Sequence, residues 1–117
     1  MLMVFSLQGC TPFHDQHDYP SRVKFSKGGG EQTVCGSVGC DYVEIYNQKG
    51  ETEAIHLKVG ENEQCSLQFK WLTVIHNTQT HQFTIRAEPN TTKKKRMLTI
   101  YAIDGNTWLE IFVTQSK

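Results

Sequence analysis

The sequence predicts an all-β fold, an immunoglobulin-like two-sheet sandwich of about seven to eight strands. Three observations carry that expectation. Apolar residues recur with period two from residue 22 onward. The alternating runs are punctuated by clusters of Gly, Asn, Asp and Pro. No window joins helical spacing to a cap at its start and a glycine at its end. At 117 residues the chain has the length of one domain and can bury a core without a metal or a dense set of disulfides.

The elements follow in order. Arg22-Val23-Lys24-Phe25-Ser26 alternates and stops at Gly28-Gly29-Gly30. Tyr42-Val43-Glu44-Ile45-Tyr46 turns Val43 and Ile45 to one face and Tyr42, Glu44 and Tyr46 to the other. Residues 55–59 repeat the pattern, with Ile55, Leu57 and Val59 inward. Residues 83–87 and 98–102 do the same, and residues 109–113 bury Leu109, Ile111 and Val113. Turns are expected at 47–50, 60–62, 89–90 and 104–106. Asp104-Gly105 is the strongest, because that dipeptide tolerates the positive φ of a tight hairpin. Inward aliphatic side chains supply the stability, each fully buried one contributing roughly 1.5–3 kcal/mol.

The first residues read differently. An apolar run over residues 1–7 enters Gln8-Gly9-Cys10. Its ending resembles that of a bacterial lipoprotein signal, which implies lipid on Cys10, although the basic start of such a signal is missing. Residues 11–19 are polar and without period, as a tether would be. The expected division is a signal remnant and tether over 1–20 and a domain over 21–117. Four cysteines are present. With Cys10 lipidated, Cys35, Cys40 and Cys65 remain, allowing one disulfide and one spare thiol. Cys35 and Cys40 bracket a short loop compatible with a bridge, and either with Cys65 is equally permitted.

Several functions are excluded by composition. Twelve basic residues balance twelve acidic ones, so the broad positive surface of a nucleic-acid binder is not expected. Lys93-Lys94-Lys95-Arg96 reads as a solvated turn before a strand. No run reaches the ~20 apolar residues of a membrane helix, so membrane association is expected only through Cys10. No catalytic residues are expected: there is no nucleophile elbow, Gly28-Gly29-Gly30 lacks the Lys-Ser/Thr of a phosphate loop, and nothing places Glu44 opposite Glu110. His14-x-x-His17 with Asp15 and Asp18 reads as polar tether. His56 points outward, and His76 with His81 across residues 77–80 makes an incomplete ligand set. No metal and no cofactor are expected. Asn90-Thr91-Thr92 reads as a turn.

Outward aromatics are the functional candidates. Tyr42, Tyr46, Tyr101, Trp108 and Phe112 share outward parity, and exposed rings stack on the apolar faces of sugars. Trp71 is assigned to the core.

From Val23 to Gln115 the chain resembles the BACON (Bacteroidetes-associated carbohydrate-binding often N-terminal) domain. The matching pieces are Phe25-Ser26 before the glycines, Trp71-Leu72-Thr73-Val74, residues 83–90 ending at Asn90, the strand led by Arg96, and the closing strand ending at Thr114-Gln115. The stretch from Cys40 to Gln68 is longer than the family's link and predicts an added edge hairpin or a reshaped surface. The resemblance implies a binding module for glycans or mucin, secreted or held at the bacterial cell surface; with no catalytic residues expected, the module is read as non-catalytic, and a monomer is expected. The alternative is a structural spacer or protein-interaction module of a surface lipoprotein, whose partner is another surface protein.

Overall fold

A computed structural model describes residues 16–57 and 64–117. These residues form nine strands: β1 (Arg22–Phe25), β2 (Gly30–Cys35), β3 (Tyr42–Tyr46), β4 (Thr52–His56), β5 (Gln64–Phe69), β6 (Leu72–Asn77), β7 (Gln82–Ala87), β8 (Arg96–Asp104) and β9 (Thr107–Gln115). One sheet has the order β1-β9-β8-β3-β4 and the other β2-β7-β6-β5. The fold is a β-sandwich, as expected. All neighbours are antiparallel except β1, which runs parallel to β9.

The core follows the period-two pattern. Val43, Ile45, Leu98, Ile100, Leu109, Ile111 and Val113 of one sheet are buried facing Leu72, Val74, Phe83 and Ile85 of the other. Trp71 is buried just before β6, as expected. The Arg96 guanidinium lies 4.6 Å from its ring centroid, a cation–π contact that also covers the indole. Arg96 donates to Gln115 Oε1 and to the carbonyls of Glu88 and Pro89. Gln115, itself buried, donates to the carbonyls of Ser26 and Glu88. Asn90, also buried, donates to those of Lys94 and Ser116. This polar knot ties the ends of β1, β7, β8 and β9 together.

Four expectations need correction. Strands β2 and β5 were not legible. β2 is an edge strand with mostly exposed residues, so it shows no alternation. The fourth strand begins at Thr52 rather than Ile55, and Val59 lies outside the described residues. Asn47 sets that start: its Oδ1 accepts from the backbone amides of Lys49 and Glu51, closing a turn that pairs Tyr46 with Thr52. The resulting hairpin places β4 at the sheet edge.

The tether expected to reach residue 20 gives way to the fold sooner. Tyr19 is fully buried, packs edge-on against Phe83 at 5.3 Å, and donates to the Val38 carbonyl at 2.6 Å. Its ring lies where a side chain on Gly36 would have to go. Finally, none of the disulfides considered among Cys35, Cys40 and Cys65 forms. Cys40 and Cys65 are free thiols, while Cys35 is disulfide-bonded. Cys10 lies outside the described residues.

Candidate functional site

The outer face of the five-stranded sheet gathers the candidate aromatics by strand register. In one row, His56 sits opposite Tyr42, Tyr42 opposite Ile103, and Ile103 opposite Trp108. The next row reads Ala54, Glu44, Tyr101, Glu110. The third reads Thr52, Tyr46, Thr99, Phe112, Arg22. Side chains in one row point the same way because each strand alternates in step with its neighbours.

Ring contacts connect the first two rows into a continuous strip. Trp108 stacks on Tyr101 with centroids 6.2 Å apart and planes at 29°. Tyr101 meets Tyr42 edge-on at 6.5 Å. Tyr42 meets His56 at 4.8 Å. The strip crosses four adjacent strands, about 14 Å from end to end at ordinary strand spacing. Trp108, 60% exposed, stands out as a large apolar side chain left in solvent.

Two carboxylates are built into this surface. Glu44 accepts from the Tyr42 hydroxyl at 3.1 Å and from the Thr52 hydroxyl. Glu110 accepts from the Tyr46 hydroxyl at 2.5 Å, the short length of a charge-assisted bond. Burial and the bond to Glu44 raise the Tyr42 phenol above its ordinary value, and the bond to Glu110 raises that of Tyr46. Both phenols therefore stay protonated as donors near neutral pH. The main chain beneath Glu110 is held from outside the sheet. Gln16 Oε1 accepts from the Glu110 amide at 2.8 Å, and Gln16 Nε2 donates to the Glu110 carbonyl at 2.7 Å.

Of the expected platform, Tyr42, Tyr101 and Trp108 come together as one surface. Tyr46 joins through Glu110. Phe112 is half-buried one row further on, flanking the buried Thr99. Sequence reasoning left His56 out. Its outward parity was readable, but its place beside Tyr42 depends on the β3–β4 register. Glu44 and Glu110 also share a row, with Tyr101 between them, a relation that strand order alone creates.

His17 and His76 are tied into the fold. His17 bonds the Thr107 hydroxyl at 3.0 Å, and His14 lies outside the described residues. His76 is interior, accepting from the Cys40 amide at 2.9 Å and facing the Gln82 carbonyl at 2.9 Å. Burial pushes its pKa down to about 4. Among the described residues no group of acidic, His and Cys side chains is placed to hold a metal. Far from the aromatic strip, where β8 begins, an open notch of about 460 Å³ is lined by Lys27, Gly28, Pro89, Asn90, Thr91 and Lys93.

No family model matches the chain, and no curated protein sequence is similar to it. Among solved structures, the chain is similar to a protein from Bacteroides thetaiotaomicron determined by NMR. The two share 15% identity over 97% of this chain and 94% of that one, with a TM-score of 0.55. At that identity the likeness shows the fold alone.

Proposed function

We propose that this chain is a non-catalytic glycan-binding module of an exported bacterial protein, and that the outer face of the five-stranded sheet is its platform. One observation carries the reading: the exposed Trp108 is the end of an ordered strip of rings, with fixed carboxylates in the adjoining row. Rings take the apolar faces of sugars, and carboxylates accept from sugar hydroxyls. The BACON-like motifs support the same reading. The disulfide at Cys35 supports an oxidising compartment, such as the cell envelope or exterior.

The test is a glycan array probed with the full chain, followed by calorimetric titration of each hit. Trp108→Ala and Tyr101→Ala are each expected to weaken binding about three- to tenfold, the range of one lost aromatic stacking contact. A spacer that meets only protein partners would bind no glycan, and that outcome would overturn the reading.

A further inference from the structure

Taking the outer face as a glycan platform, we infer that it selects uncharged, hydroxyl-rich glycans and rejects those carrying carboxylate or sulfate groups. The selectivity arises from the row centred on Tyr101. Glu44 and Glu110 flank that ring from the two neighbouring strands, each about 4.8 Å away at the backbone. A sugar lying over this row, against Trp108 and Tyr101, therefore meets an acidic residue on either side.

Both carboxylates are hydrogen-bonded to neighbouring side chains of the sheet. Tyr42 and Thr52 hold Glu44, and Tyr46 holds Glu110. Both remain hydrogen-bond acceptors only, with lone pairs beyond those already used. Hydroxyl groups can donate to them. A carboxylate or sulfate on the glycan can only accept, so it would bring a like charge against a hydrogen-bonded carboxylate. The cations on this face stand on its edge and not beside Tyr101. Arg22, on the edge strand β1, is diagonal to Glu110, and Lys24 lies one row further from Tyr101. His56 is at the opposite edge of the first row, and Asp41 and Asp104 lie at the end of the sheet nearest Tyr42 and Trp108. Lys93, Lys94 and Lys95 precede β8, at the opposite end of that strand from Trp108.

The experiment is titration of the full chain with matched oligosaccharides, each neutral core compared with its sulfated and its carboxylated form. The neutral member is expected to bind about tenfold more tightly at low salt, with the gap narrowing as added salt screens the charges. Combining Glu44→Gln with Glu110→Gln, nearly isosteric changes, should bring the members of each pair within about threefold. Trp108→Ala should weaken neutral binding in either background.

Equal or tighter binding of the acidic member to the unaltered chain would overturn the selectivity while leaving the platform standing. So would a ratio that the double variant does not move, provided circular dichroism shows that variant folded. Acidic binding lost in Lys27→Ala with Lys93→Ala, but kept in Trp108→Ala, would assign recognition to the distant notch and overturn the inference. Failure of every neutral core to bind would overturn the platform itself.

Discussion

At the scale of single residues, His76 makes folding dependent on acidity. Its ring is buried, stacks on Phe83 at 4.1 Å, and accepts a hydrogen bond from the Cys40 amide, which only the neutral ring can do. In the unfolded chain the same ring takes a proton near its ordinary value of about 6.5, whereas in the fold burial holds that step down to about 4. A base with a depressed folded pKa contributes stability that is fully present above the unfolded value. That contribution is lost as pH falls through the interval down to the folded value, by up to about 3 kcal/mol. Urea midpoints measured from pH 8 to pH 4 should therefore fall below about 6.5 in the unaltered chain. In His76→Gln, which cannot titrate, this share of the fall should vanish; an unchanged profile would remove His76 as its source. The aromatic candidates were legible at this scale because parity is local: five outward rings could be read from alternation. Tyr19 was not, since nothing in Asp18-Tyr19-Pro20 signals that its ring fills the space beside Gly36.

At the scale of elements, alternation identified β1, β3, β7, β8 and β9 because each buries one face. It failed for β2, exposed on both faces, and misplaced β4, whose limits depend on the Asn47 turn. The Asp104-Gly105 hairpin joins β8 to β9 with Asp104 paired to Thr107 and Gly105 at φ 53°. It puts Trp108 and Tyr101 on adjacent strands. Strand order was less accessible: β3 pairs with β8, whose partner residues lie more than fifty positions later. That pairing brings Glu44, Tyr101 and Glu110 into line. The residues behind the BACON resemblance have a visible structural task, since Asn90, Arg96 and Gln115 satisfy loop carbonyls at one end of the sandwich. Arg96→Lys should lose the forked contacts and the cover over Trp71, costing about 1–3 kcal/mol in chemical denaturation without altering glycan affinity. A weakened affinity with unchanged stability would instead make Arg96 part of a binding site.

At the scale of the whole molecule, residues 16–20 close the fold across both sheets. Ser37 donates through its amide and its hydroxyl to the His17 carbonyl, Tyr19 fills the core near Phe83, and Gln16 grips Glu110. Of the described cysteines, Cys35 is disulfide-bonded while Cys40 and Cys65 are free thiols. Peptide mapping without reduction should recover Cys35 cross-linked, with Cys40 and Cys65 unlinked; alkylation of Cys35 in the unreduced, unfolded chain would contradict the disulfide. The two tryptophans separate the aromatic face cleanly from the core. Trp71 is buried beneath Arg96 while Trp108 is exposed. The most direct measurement is tryptophan fluorescence with acrylamide quenching during titration of the full chain with a neutral oligosaccharide. Saturable protection from quenching that disappears in Trp108→Phe is the expected result; unchanged emission and quenching up to millimolar sugar would mean that the aromatic face is not a sugar platform.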